Sequence, residues 1–370
     1  MLGIGALCAL LTAVPGLARP DSAAADPAPA SRLADYWVFG RSAEVFRPDE
    51  EILATRVGGW ADGSYEDNDI DGARRSFRLN HLNAFLDTRF TEHWQFFFEG
   101  EYEDETDLSG YEEEQEWEIE QAYLRWSPDP RARVRAGKFN TPFGYWTPLH
   151  WSILMDTIQK PIHEGNRVIP EQPVGGELSG RFFPEALFQS RAEVTYAVYA
   201  GYSNDTALFS ENDSDGLSFG SDLRALLDDS YLAGISYYQQ DNDDLGDRTE
   251  QNVMLYGQAE LPAELLLRAE YLHQWRDSRT GLPSEIDITY VKLRWDFRPD
   301  AYANYRVNWG DSEPEDGDFK GKSVDATIHT FTLGYRPDGP LRIKLEFSSN
   351  NFSDGREDFN YWGVSVGYLF

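Results

Sequence analysis

Arginine recurs at every second position in Arg131, Arg133 and Arg135, and Lys138 follows three residues later. In an extended chain alternate side chains point to one side, so the three guanidiniums form a basic ladder with Ala132, Val134 and Ala136 on its reverse. Beside a narrow aqueous path such a ladder attracts anions, because the field there follows the nearest fixed charges. The same residues brace a wall if Glu99, Glu101, Glu118 and Glu120 pair with them, and both readings stay open. Catalytic chemistry has little to build on. Six histidines are present (His81, His93, His150, His163, His273, His329), with no HExxH or phosphate-loop string beside them. A Ser-His pair assembled across strands is invisible to sequence spacing, so an outer-wall hydrolase is kept only as a third alternative and no enzyme is expected.

The elements that would position these residues are strands. From about residue 55 onward, stretches of alternating hydrophobicity are separated in turn by a short gap and a long one. Short gaps such as 91–93, 227–230, 262–264, 298–300 and 336–340 carry the Pro, Asp and Gly of tight turns. Long gaps such as 64–74, 104–115, 204–216, 240–250, 276–285 and 310–326 are acidic and polar, and one at about 141–174 exceeds the others. This sorting by length is what an up-and-down transmembrane β-barrel needs, and the segments number about sixteen. Faces follow from the alternation. Leu293, Trp295, Tyr305, Leu345 and Phe347 would meet lipid, while Arg268, Lys292, Arg294, Arg306, Lys344, Glu99 and Glu101 would line a wet, ionic lumen. An arginine at Leu293 would then cost about 2 to 4 kcal/mol and loss of Arg294 much less. Tryptophans near strand ends (Trp94, Trp126, Trp275, Trp295, Trp309, Trp362) suit interfacial girdles.

Composition agrees. The chain has 370 residues, 41% hydrophobic and 14% aromatic, yet no apolar run after the N-terminus approaches the roughly 18 residues of a membrane helix. Residues 2–13 form a short apolar segment, and Gly16, Leu17 and Ala18 a small-x-small cleavage signal, so 1–18 read as a signal peptide although no Lys or Arg precedes them. Cys8, the single cysteine, lies within it, and the mature chain would have no disulfides. Residues 19–52 read as an Ala/Pro/Ser-rich spacer followed by a segment that is either periplasmic or tucked into the barrel as a plug, and 53–370 as the barrel.

Two strings carry a resemblance. Trp362, Val364, Val366, Tyr368 and Phe370 share one face of the last strand, which resembles the terminal assembly signal of Gram-negative outer-membrane barrels. Gly137, Lys138, Phe139, Pro142, Phe143 and Gly144 are similar to the G-K-F-x-x-P-F-G motif of the phosphate-selective porin O and P family and its superfamily of sixteen-stranded trimeric porins. The resemblance implies an outer-membrane location, passive diffusion of ions and small hydrophilic solutes, a homotrimer, and an inward third loop at 141–174 that brings Lys160, His163 and Arg167 to a constriction. It also implies recognition of Tyr368 and Phe370 by the barrel assembly machinery. Phosphate selectivity is not carried over, because the formal net charge is -31. A plugged or substrate-specific binding barrel is the alternative.

The acid is concentrated in the long gaps. Asp67, Asp69, Asp71 and Gly72 resemble the start of a calcium loop, but Arg78 occupies the position of the bidentate Glu. No cofactor is expected beyond Ca²⁺ or Mg²⁺ bridging acidic external loops and lipopolysaccharide. The same acid repels polyanions, so the expected surroundings are outer-membrane lipid and solutes, with no nucleic acid.

Overall fold

Period-two patterning resolves into sixteen strands. In this computed structural model they are β1 (Thr55–Asn68), β2 (Ser76–Arg89), β3 (Trp94–Asp104), β4 (Gln115–Asp129), β5 (Ala132–Lys138), β6 (Pro173–Phe182), β7 (Ala192–Ser203), β8 (Gly216–Leu227), β9 (Tyr231–Asn242), β10 (Arg248–Leu261), β11 (Leu265–Ser278), β12 (Ser284–Arg298), β13 (Ala301–Ser312), β14 (Ala326–Tyr335), β15 (Leu341–Phe352) and β16 (Phe359–Leu369). The structure describes residues 55–70, 75–104, 115–149, 151–165, 168, 172–183, 192–203, 216–242, 248–278, 284–312, 324–337, 339–353 and 357–370. The expected signal segment and the spacer or plug fall outside these.

Each strand pairs antiparallel with its sequence neighbours, and β1 pairs with β16 to close the barrel. Closure leaves no unpaired sheet edge, which a lipid-facing sheet cannot tolerate. At the seam Phe370 exchanges both backbone hydrogen bonds with Gly59, each 2.9 Å. A Cβ at Gly59 would lie 2.3 Å from the Asn83 carbonyl and 2.7 Å from the Phe370 ring, so only glycine lets the terminal aromatic seat there.

The alternation sorts the two faces as the pattern requires. Leu293, Trp295, Tyr305, Leu345, Phe347, Trp362, Val366 and Tyr368 are exposed on the outside, whereas Arg268, Lys292, Arg294, Arg306, Lys344 and Glu346 are buried on the inside. Near the tight-turn rim Trp94 and Trp126 sit side by side across β3 and β4, with centroids 6.3 Å apart. Trp295 and Phe297 do the same within β12 at 5.6 Å.

Several loop boundaries differ from the sequence reading. The long gaps at 240–250 and 276–285 shrink to 243–247 and 279–283, because β9 to β12 continue their ladders through polar residues such as Thr249↔Asp241 and Arg276↔Ser284. Ladder hydrogen bonds need only backbone, so strands outlast the apolar pattern where they rise above the hydrocarbon. The β6 to β7 connection, 183–191, is also longer than the tight turns on its rim.

Candidate functional site

The third connection, 139–172, is where wall and loop meet. Its launch explains the Gly-Lys-Phe string. Gly137 takes φ 135°, and a Cβ there would stand 2.1 Å from the Ala122 carbonyl on β4. Gly144 takes φ 62°, where a Cβ would reach the Met254 sulfur at 2.3 Å. Both positions therefore demand glycine, and between them Phe139 and Phe143 are fully buried. The chain thus leaves β5 toward the barrel interior. Among its described residues, regular structure is limited to short helical turns at Thr147–Leu149, Ser152–Leu154 and Ile162–Gly165.

From there wall side chains fasten the loop strand by strand. The backbone N–H of Gly144 donates to Ser236 Oγ on β9 at 2.9 Å, and that of Tyr145 to Glu270 Oε1 on β11 at 2.8 Å. Asp156 receives Lys292 in a short charged hydrogen bond and lies 3.5 Å from Arg294, both on β12. Its carbonyl accepts from Asn304 on β13 at 2.6 Å. Arg306 donates to Thr157 Oγ1 at 3.2 Å and to the Gln159 carbonyl at 2.9 Å. On β15, Lys344 donates to the Ser152 and Thr157 carbonyls, both at 3.0 Å, while Glu346 accepts from the N–H groups of Ile158 at 2.7 Å and Gln159 at 2.9 Å. Ser152 finally reaches Asp62 on β1 at 2.9 Å. One loop segment thus touches the inner wall from β9 round to β1.

Electrostatics hold this arrangement. Burial alone would raise the Asp156 carboxyl, but the charges of Lys292 and Arg268 outweigh it and keep the group below the ordinary carboxylate value. Arg268 is bound to Gln258 at 2.8 and 2.6 Å and stacks on the Tyr145 ring at 3.4 Å. Lys292 lies 5.1 Å from the Trp146 centroid. Around this sector the interior is ionic but closely packed rather than wet. Arg268, Lys292, Arg294 and Arg306 are all at most 2% exposed, because the loop covers the wall that alternation alone would leave to water.

Charge is unevenly placed around the lumen. Asp62, Asp87, Glu99, Glu101 and Glu120 are buried on β1 to β4, whereas β11 to β15 bury five cations, Arg268, Lys292, Arg294, Arg306 and Lys344, against three acids, Glu270, Asp296 and Glu346. Glu99 and Glu101 both accept from Asn83, at 2.8 and 3.1 Å. The arginine ladder of β5 is shorter than its spacing suggests. Arg131 lies in the turn before the strand and is exposed, so only Arg133 and Arg135 stand on the strand itself. Arg135 pairs with Glu177, directly opposite on β6, with its Nε 2.9 Å from the carboxylate. Lys138 pairs with Glu118 at 2.7 Å. Glu118 is one of the acids the sequence offers as a partner; Glu177 is not, although its register opposite Arg135 follows once β5 and β6 are joined.

Of the expected loop residues, His163 is buried 3.4 Å from Glu270, and Lys160 is half-buried with partners of its own. Arg167 and His150 lie outside the described residues. So does Asp71; Asp67 pairs with Arg75 at 3.1 Å, and Asp69 accepts from the Asn360 side chain at 2.8 Å. Among the described residues no cluster of three or more His, Cys, Asp or Glu is arranged to hold a metal ion.

Comparison with known proteins points the same way. Residues 59–155, about a quarter of the chain, match the family described as phosphate-selective porin O and P. No curated protein matches the sequence. Among solved structures, an anion-selective porin from Comamonas acidovorans superposes with TM-score 0.60 at 12% identity, covering 86% of this chain and 99% of that one. OmpF of Salmonella typhi, in complex with daunomycin, gives 0.61 at 10% identity, covering 86% and 98%. A trimer form of the Vibrio cholerae outer membrane protein OmpT gives 0.52 at 12% identity, covering 86% and 100%. The chain is thus a sixteen-stranded porin-type barrel of the outer membrane that carries, over residues 59–155, the signature of the phosphate-selective porin O and P family.

Proposed function

We propose that the protein is a passive porin for ions and small hydrophilic solutes, with the third loop as its constriction, and that it works as a homotrimer. The observation that carries this reading is the fastening of one loop to the inner wall from β9 to β1, which narrows a barrel otherwise wide enough to conduct. No chemistry is assigned to it. Four of the lumen cations described above have an acid beside them: Arg135 with Glu177, Lys138 with Glu118, Lys292 with Asp156 and Arg294 with Asp296. With wall charges neutralised in pairs, the acidic long loops set the preference, and the channel favours cations at low salt.

In planar bilayers the purified protein should give discrete conductance steps, with reversal potentials on the cation side in a KCl gradient. That preference should fade near 1 M salt, where the Debye length is about 3 Å. A weak anion preference that moves toward cations in Arg133→Glu would instead place the ladder at the narrowest point. A second reading, a closed barrel, is favoured by the near-complete burial of Arg268, Lys292 and Arg294. Deleting residues 19–50 separates the two, since release of a plug raises conductance strongly and loss of a spacer leaves it unchanged. Divalent cations bridging the acidic loops to lipopolysaccharide belong to the same proposal, tested by the effect of a chelator on thermal stability in lipid.

A further inference from the structure

Between the third loop and the seam of the barrel lies a partly enclosed cavity of about 160 Å³, lined by β1, β2, β15, β16 and the loop. Strand register builds its floor. Lys344 stands opposite Ser365, Ser365 opposite Ser64, and Ser64 opposite Arg78, so one level of the wall runs from a lysine through two hydroxyls to an arginine. One step toward the long loops is Glu66, and one step the other way is Asp62, whose carboxylate is already taken by His81 at 2.7 Å, Ser152 at 2.9 Å and Asn80 at 3.0 Å. Glu66 accepts from Ser64 at 2.6 Å and lies beside the Tyr361 hydroxyl, and its two oxygens can accept further donors. Lys344 spends two of its three N–H groups on the loop carbonyls. Ser365 lines the cavity and is 1% exposed, and its buried Oγ has no hydrogen-bond partner. A buried hydroxyl left unpaired costs about 1 to 3 kcal/mol, so its position calls for a polar guest.

We propose that this cavity binds a small α-amino acid as its zwitterion, the carboxylate held by Lys344, Ser365 and Arg78 and the ammonium by Glu66. Opposite charges on neighbouring levels of the wall match opposite charges on neighbouring atoms of such a solute, and Ile158 at the cavity edge offers contact to a methyl group. Size agrees. A cavity of about 150 Å³ accommodates a six-carbon ring, and alanine has the same number of non-hydrogen atoms. The proposal deepens the porin reading by naming a solute class that lingers on its way through, and it rests on solutes reaching the lumen.

Calorimetric titration of the full-length, detergent-purified protein with alanine tests it. Saturable heat is expected, with affinity falling about tenfold or more in Arg78→Gln and several-fold in Ser365→Ala, as befits loss of hydrogen bonds to a charged group. Propionate and ethylamine, each half of the zwitterion, should bind at least about tenfold more weakly than alanine, for the same reason. Absence of saturable heat, or propionate binding as tightly as alanine, overturns the site. Comparing the ligands on unmodified protein keeps this decisive even if Arg78→Gln fails to fold. Failure of the porin reading looks different: KCl steps are missing in bilayers, while the alanine titration still decides the site.

Discussion

Asp156→Asn is the substitution that most directly probes the constriction. Asp156 is a loop carboxylate set between Lys292 and Arg294, and both cations have fully buried side chains. Removing one member of a buried pair typically costs about 3 to 5 kcal/mol, because the remaining charge is stranded. The loop itself should stay in place, since Asn304, Arg306, Lys344 and Glu346 hold it through groups the substitution leaves alone. The change therefore adds one positive charge to a fixed constriction. For an ion about 8 Å away at an effective dielectric of about 20, Coulomb's law gives about 2 kcal/mol, which screening over one Debye length at physiological salt reduces to about 0.8 kcal/mol. That corresponds to about a fourfold shift of the permeability ratio toward anions. Reversal potentials in a KCl gradient read the shift, and heat-modifiable gel mobility reads the stability. Because the Asp156 carboxyl is held below its ordinary value, its contribution is fully present above that value and is lost as pH falls through the lowered one. The native protein should thus acquire the variant's selectivity only below about pH 4. A variant with native reversal potential and native stability would show that this pair neither borders the ion path nor holds the loop.

Three further outcomes follow from the same geometry. Deleting Phe370 removes both seam hydrogen bonds to Gly59 and the ring packed over it, so the yield of heat-modifiable barrel should fall and protease-sensitive protein should accumulate. Gly137→Ala should lower barrel yield or melting temperature, since its Cβ would meet the Ala122 carbonyl at 2.1 Å in a conformation that L residues avoid; a native melting temperature would show that the turn into the loop is relaxed. Leu293→Arg places a charge on the lipid face at a cost of about 2 to 4 kcal/mol. Arg294→Leu is not the cheap change its lumen position suggests, because it removes the nearer of two cations on the buried Asp296, at 2.6 Å, and leaves only Arg336 at 3.1 Å; an unfolding experiment in lipid should find it clearly destabilised.

That last correction shows where reading a sequence stops. Leu293, Trp295 and Phe297 alternate with Lys292, Arg294 and Asp296, and this alone assigns faces, because lipid tolerates no other arrangement. Glycine positions were legible for a related reason: Gly137 and Gly144 sit in a string whose spacing marks the exit from a strand. Partners across the lumen were not. Lys292 meets Asp156 across 136 positions, and Glu346 meets Ile158 across 188, distances over which no local pattern persists. Which acid meets which cation depends on how one irregular loop crosses the interior, and that path is set by the ensemble of its anchors. Arg135 is intermediate. Its partner Glu177 lies beyond the long loop in sequence yet directly opposite in the sheet, so joining β5 to β6 by topology reveals the pair. Selectivity inherits this division. A net charge of -31 describes the protein seen from afar, whereas an ion inside the barrel would meet a wall on which Arg135, Lys138, Lys292 and Arg294 each sit beside an acid, and on the porin reading that compensation is what would let the distant acid count.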